Sequence, residues 1–282
     1  MVETREALLA RLRDKATAVR EGVMVALAAV GAGHVGGSLS IADILAALYF
    51  HTMRVDPKNP QWPDRDRLVL SKGHANAALV PVLAEAGFFD KELIKTFNLL
   101  DSPFGMHPDM RKIPGCDMST GALGHGLAVG VGMALAGRLQ KKAFRVYVIM
   151  GDGELNEGSN WESAMAASHF GLDNLIGIVD RNRFCLGSAT EDTMRLEPLV
   201  DKWRSFGWSV KEIDGNDMGM VVDALDATPF EAGKPSLILA HTVKGKGLAA
   251  AEDRAEWHYQ PVTSELLEAA LKELRASAGG RS

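Results

Sequence analysis

The chain has 282 residues, 46% of them hydrophobic, and 31 Lys plus Arg against 36 Asp plus Glu give a net charge of −5. That is apolar material for one large or two small domains. The mildly acidic balance excludes the basic footprint of a nucleic-acid binder and argues against a polybasic membrane anchor.

In chain order, helix and strand patterns alternate, which is the signature of an α/β architecture. Residues 3–31 read as a long helix, ended by Gly31-Ala32-Gly33. Ser40 is placed to cap a second helix, 41–50, with Asp43 at its third position. A Pro-rich loop, 56–66, leads to a short strand, 67–70. Helices follow at 75–86, with Gly87 as terminator, and at 91–98, capped by Asp90. Residues 100–121 form an irregular segment rich in Pro and Gly; its length and His107 mark it as functional. A Gly/Ala-rich helix is expected at 122–138. Strands at 144–150 and 174–180 frame a helix at 160–170. Helices near 197–206 and 218–227 alternate with strands near 208–213 and 236–241. An amphipathic helix, 264–276, capped by Thr263, closes the chain. With no repeat and no convincing linker, residues 1–282 read as one domain with an N-terminal helix and a C-terminal helical tail.

No window approaches eighteen consecutive apolar residues, so no membrane span is expected. The charged N-terminus does not read as a signal peptide. Cys116 and Cys185 are the two cysteines, and free thiols in a reducing cytoplasm fit better than a disulfide scaffold.

The most informative stretch is Arg145–Asn182. Two apolar runs, 146–150 and 175–179, end in Gly151-Asp152-Gly153 and Asp180-Arg181-Asn182. Two parallel strands therefore bring Asp152 and Asn182 to the carboxyl edge of a sheet, where open α/β sheets bind ligands. A carboxylate and an amide oxygen suit magnesium, whose remaining ligands are commonly phosphate oxygens. The glycines beside Asp152 allow a sharp turn and close approach to a diphosphate.

His34, His74, His107 and His258 each lie in a polar or glycine-bearing loop beside an expected element. One such histidine is usually structural. Four, next to a phosphate-type motif, point to proton handling and to hydrogen bonds with hydroxyls and carbonyls. The segment Ser119–Gly126 opens a helix with glycines, and glycines there expose N–H groups to an anion. In the loop His241–Gly247, Lys244 is the lysine expected to meet a phosphate.

GDG followed by Asn roughly thirty residues later resembles the diphosphate motif of thiamine-diphosphate enzymes. GHVGGSLS, RLVLSKGHANAAL, GMHPDM, MSTGALGHGLAVGVGMALA, GDGELNEGSNWE, NLIGIVDRN, HTVKGKG and AEWH occur in this order. Together they resemble the N-terminal half of transketolase, and the nearest form is the split type with its halves on separate polypeptides. The resemblance implies a parallel-sheet thiamine-diphosphate-binding fold with helices on both faces. Asp152, Asn182 and the Phe184 carbonyl would hold Mg²⁺, or another divalent cation such as Ca²⁺ or Mn²⁺. Gly153 and the Gly121–Leu123 loop would contact the cofactor, with Lys244 at its phosphates. His74 and His258 would flank the diphosphate and the reacting centre, and His34 and His107 would bind sugar hydroxyls. Glu157 would join a carboxylate chain coupling two active sites.

The implied activity is transfer of a two-carbon ketol unit between sugar phosphates. The pyrimidine-binding domain would come from a C-terminal-half partner subunit. The expected assembly is a heterotetramer, with a homodimer when the chain is isolated. Alternatives are one half of another split thiamine-diphosphate enzyme, either a keto-acid dehydrogenase component or a transketolase-like enzyme on an unusual sugar, or a cofactor-binding chain without turnover. Two positions depart from the family: His125 stands where full-length transketolases have glutamine, and Arg183-Phe184-Cys185 replaces a small glycine-containing turn.

Overall fold

The computed structural model describes residues 3–279. Five parallel strands form the sheet: β1 (Arg67–Leu70), β2 (Val146–Gly151), β3 (Leu175–Arg181), β4 (Ser209–Asp214) and β5 (Ser236–His241), in the order β1-β2-β3-β5-β4. Alternation along β2 builds both cores. Val146, Val148 and Met150 face one layer, while Tyr147 and Ile149 face the other.

The first layer holds α1 (Arg5–Val30), α2 (Val35–Leu39), α3 (Ala42–Ala47), α4 (Asn76–Ala86), α8 (Met218–Asp226) and α9 (Ser264–Gly279). The second holds α5 (Gly126–Leu139), α6 (Gly158–His169) and α7 (Leu199–Ser205). The chain passes outward from β3 to β4 and returns to β5, and α8 of the return lies on the face opposite α6. Right-handed crossovers require this switch when the direction of winding reverses.

Thr4 caps α1 by accepting the Ala7 N–H at 3.2 Å, and Gly31, at φ 86°, ends it in the left-handed region. Thr263 caps α9 by accepting the Leu266 N–H at 3.2 Å, as expected. Four expectations are corrected. Ser40 does not N-cap the following helix, where Ile41 stands; it ends α2, its hydroxyl donates to the Asp180 carboxylate at 2.8 Å, and Asp43 pairs with Arg20. The expected helix 41–50 is the α-helix Ala42–Ala47 followed by a π turn, Leu48–Thr52, and the preceding α2 was hidden by its glycines. The Gly/Ala-rich helix starts at Gly126, because Gly121 and Gly124 have φ of 154° and 82°, outside helical space. The segment 91–98 contains a 3₁₀ helix, Lys91–Thr96, capped by Asp90.

Val35–Thr52 is long and apolar enough to cross a membrane by length and composition, but 78% of it is buried inside the fold. It serves as core between α1, α4 and α8.

Candidate active site

The strand register brings four carboxyl ends to one edge. Leu70 pairs with Ile149, Gly151 with Asp180, and Arg181 with His241. The segments leaving this edge enclose a cavity of about 340 Å³. Its walls include His34, Lys72, His74, Leu123, Asp152, Gly153, Glu157, Asn182, Phe184, Lys244 and His258.

Asp152 is 1% exposed. One carboxylate oxygen accepts the Gly153 N–H at 2.8 Å. The other accepts the Arg183 N–H at 2.6 Å and an Arg181 guanidinium N–H at 3.2 Å. Burial and the nearby Asp180 push its carboxyl up to about 6, against the pull of Arg181 and the backbone donors. The Asn182 amide oxygen accepts the Phe184 N–H at 3.1 Å. Arg183 takes φ 70° just after Asn182, and Phe184-Cys185 pairs with Ser188-Ala189 through a Leu186-Gly187 turn, with Leu186 at φ 55°. Among the described residues no group of three His, Cys, Asp or Glu side chains could hold a metal. The expected set of one carboxylate, one amide oxygen and one backbone carbonyl is of a different kind, and its oxygens are hard donors suited to Mg²⁺.

Lys244 is 1% exposed. Its ammonium donates to the Leu186 carbonyl at 3.2 Å and the Ala255 carbonyl at 3.5 Å, and lies 5.1 Å from the Phe184 ring centroid. Burial, then the charge of Lys72, pull it down to about 8. A buried cation met by neutral carbonyls fits a diphosphate as its missing counter-charge. Lys246, the other lysine of that loop, pairs with Glu252.

The four histidines, far apart in sequence, converge. Ring centroids lie 4.7 Å apart for His34–His74, 5.3 Å for His34–His258 and 4.7 Å for His74–His107. Burial and the neighbouring rings pull His34 down to about 3, and burial with Lys244 pulls His258 down to about 4. Burial also lowers His74. The buried Nδ1 of His34 has no hydrogen-bond partner among the described residues. His107 is exposed and joins the cluster through His74. Gly121 packs against the His107 ring, whereas Leu123 lines the cavity.

Of the two glutamates after Asp152, Glu157 is exposed at the cavity rim, next to the start of α6. Glu154 turns inward. It accepts from Ser71, from the Gly124 N–H at 2.8 Å and from the Gly151 N–H at 3.0 Å, and burial raises its pKa. The Gly124 N–H, expected to be open to an external anion, is thus taken by an internal one. Cys185 lines the cavity, but burial pushes its thiol up, away from the thiolate a nucleophile needs.

The sequence reading missed Lys72, Asp180 and Arg181 as parts of this site. Lys72 pairs with Asp180, and Arg181 joins Asp152 to Thr190, Glu191 and Glu197. The signal was present, because all three follow or end a strand at the binding edge.

Residues 12–279 match the family described as "Transketolase, thiamine diphosphate binding domain". The 6-deoxy-6-sulfo-D-fructose transketolase subunit SqwG of Clostridium sp. (strain MSTE9) is 46% identical over 263 residues, covering 93% of this chain and 96% of the relative. One of the subunits of the apulose-4-phosphate transketolase of Phocaeicola vulgatus is 44% identical over 243 residues, covering 86% of each. The solved transketolase of Campylobacter jejuni superposes with a TM-score of 0.87 at 32% identity, over 95% of this chain and 42% of that one. The chain thus spans about two fifths of the length of that solved transketolase. It belongs to the transketolase thiamine-diphosphate-binding family. Its relatives of comparable length are named as transketolase subunits and are matched over 86–96% of their own length.

Proposed function

We propose that this subunit, once joined to a partner carrying the pyrimidine-binding domain, transfers a two-carbon ketol unit from a ketose phosphate to an aldose phosphate. The observation that carries the reading is the buried Lys244 ammonium in one cavity with Asp152, Asn182 and three of the four clustered histidines. Thiamine diphosphate, when bound, supplies the carbanion-stabilising chemistry.

Asp152, Asn182 and the Phe184 carbonyl would hold Mg²⁺, Ca²⁺ or Mn²⁺ against the diphosphate. Lys244 would neutralise diphosphate oxygens, and Gly153 and Leu123 form wall close to it. The depressed pKa values keep His34 and His258 neutral at pH 7. A neutral imidazole has one donor and one acceptor, so each can donate to a carbonyl and take a hydroxyl proton. His74 and His258 would serve the reacting centre, and His34 and His107 the sugar hydroxyls. Glu157, exposed at the rim, would join a carboxylate chain coupling two active sites.

The relatives are named for 6-deoxy-6-sulfo-D-fructose and apulose-4-phosphate. We infer a ketose of the same class, bearing a charged distal group, as donor. The assembly is proposed to be a heterotetramer of two such chains and two partners, with a homodimer when this chain is isolated. Its location is proposed to be the cytoplasm, consistent with two free thiols. The whole chain is read as one domain, since Leu274 and Ala270 of α9 enter the same core as α1.

The test titrates purified chain with partner and follows ketol transfer. Negligible transfer alone and stoichiometric recovery with partner are expected. Full activity from this chain alone would overturn the two-subunit reading.

A further inference from the structure

We infer that Asp180 is a positioning residue that fixes which end of the Asn182 amide faces the cation site. The inference rests on the proposed role of Asn182 as a metal ligand. Asp180 and Asn182 stand two residues apart at the end of β3, so their side chains leave the same face of the strand. Asp180 is 0% exposed. Its carboxylate gathers donors from four separate segments. The Ser40 hydroxyl, between α2 and α3, donates at 2.8 Å. The Lys72 ammonium, after β1, and the Thr242 hydroxyl, after β5, donate at closer range. The fourth donor is the Asn182 Nδ2, at 2.9 Å.

That last bond decides the chemistry of the neighbour. A primary amide has a donor end and an acceptor end of nearly the same shape. With Nδ2 held by Asp180, Oδ1 turns away and accepts the Phe184 N–H at 3.1 Å. In the flipped amide, Oδ1 would face a carboxylate oxygen at close range, and the NH₂ would meet the Phe184 N–H. Both contacts are repulsive. A cation at this edge would then meet N–H groups instead of a hard oxygen. Asp180 therefore selects the only orientation in which Asn182 can ligate Mg²⁺. Carboxylates behind metal ligands act in this way in other sites. The anchoring by Ser40, Lys72 and Thr242 holds Asp180 so firmly that it, and not Asn182, sets the geometry.

The test measures Mn²⁺ binding in the presence of thiamine diphosphate by electron paramagnetic resonance, which counts bound metal without turnover. The assembled complex with its partner is used. Asp180→Asn should weaken Mn²⁺ binding about 10- to 100-fold. Asn182→Asp provides the control, because either carboxylate oxygen can ligate and orientation no longer matters. In that background Asp180→Asn should cause no loss, and relief of like charge can strengthen binding. Equal losses in both backgrounds would show that Asp180 is merely structural and would overturn the inference. If Asp180→Asn does not fold, the wild-type crystal structure with Mn²⁺ decides. Mn²⁺ on Asn182 Oδ1 with Nδ2 on Asp180 supports the inference. Mn²⁺ on Asp180 itself, or Asn182 flipped, overturns it. Mn²⁺ away from both Asp152 and Asn182 instead removes the metal-site reading on which it rests.

Discussion

The two edges of the sheet each carry a cavity and buried charge, yet they are built on opposite rules. At the amino edge, a cavity of about 420 Å³ is lined by Arg65, Arg67, Lys142 and Asp117. Every one of these charges is answered from within the chain. Arg65 pairs with Asp117, which also accepts the Leu68 N–H at 2.8 Å. Lys142 pairs with Asp64 at 2.6 Å, and Arg67 lies 3.8 Å from the same Asp117 carboxylate. At the carboxyl edge the smaller cavity holds Lys244 on neutral carbonyls and a His34 Nδ1 with no partner among the described residues. Cavity size does not mark the binding site. A buried ammonium without a carboxylate does, because folding tolerates a buried uncompensated charge only where something else offsets its desolvation.

The comparison breaks first, and with the largest effect, at the closed edge. Arg65→Met should leave Asp117, already raised by burial, without its nearest cation. Removing one partner of a buried pair costs about 3–5 kcal/mol, and urea unfolding of the cofactor-free chain should show a loss of that order. Adding Asp117→Asn, which removes the charge and keeps an acceptor for the Leu68 N–H, should restore most of it. A loss near zero for Arg65→Met would mean that the amino edge is no more closed than the other.

The open edge should respond in the opposite sense. Lys244→Met keeps the length of the side chain and removes a buried ammonium that lacks a carboxylate. The cofactor-free chain should unfold at equal or higher urea concentration than the wild type. Thiamine-diphosphate affinity, measured by calorimetry with the partner present, should fall about 10- to 100-fold, the equivalent of one charge-assisted hydrogen bond. Destabilisation with unchanged affinity would make Lys244 a structural lysine and erase the contrast between the edges.

The same contrast explains what the sequence made legible. Asp152 and Asn182 could be placed because strand ends in a parallel sheet share an edge, and the GDG turn marks where β2 stops. The convergence of His34, His74, His107 and His258 was expected only through resemblance, since no spacing rule links residues so far apart. Lys72 and Asp180 were missed because a strand-end position marks the edge without saying which charges pair there. The short helix α2 was missed because the glycines of GAGHVGGSLS speak against a helix, and burial of Val35 and Leu39 overrides that propensity. Helix α5 was drawn four residues too early because glycine at a helix start and glycine in a left-handed turn look alike in sequence. The structure separates the two uses: Gly124 is left-handed, at φ 82°, whereas Gly126 allows close approach, since a Cβ there would lie 2.3 Å from the Ser71 side chain.

The smallest expected effect sharpens the comparison through pH. His34 has its pKa lowered from 6.5 to about 3 by burial, then by His74, His258, His107 and Lys72. Its neutral form is therefore favoured in the folded chain and its charged form in the unfolded one. Above pH 6.5 both states carry a neutral ring, and the stability it permits is fully present. As the pH falls below 6.5 the unfolded chain takes up a proton that the folded chain refuses, so stability declines until the folded ring also protonates near pH 3. One such proton gives a slope of at most about 1.4 kcal/mol per pH unit, and solvent reaching the half-buried ring keeps the effect well below that limit. Carboxylates titrate in the same window, so the useful quantity is a difference between variants. His34→Gln retains a neutral polar side chain that cannot charge. Urea midpoints measured from pH 8 to pH 4 should diverge in the variant's favour as pH falls, with the wild type losing stability faster than the variant. Parallel curves would mean that the His34 ring is already compensated in the folded chain, and that the open edge is less open than its unpartnered nitrogen implies.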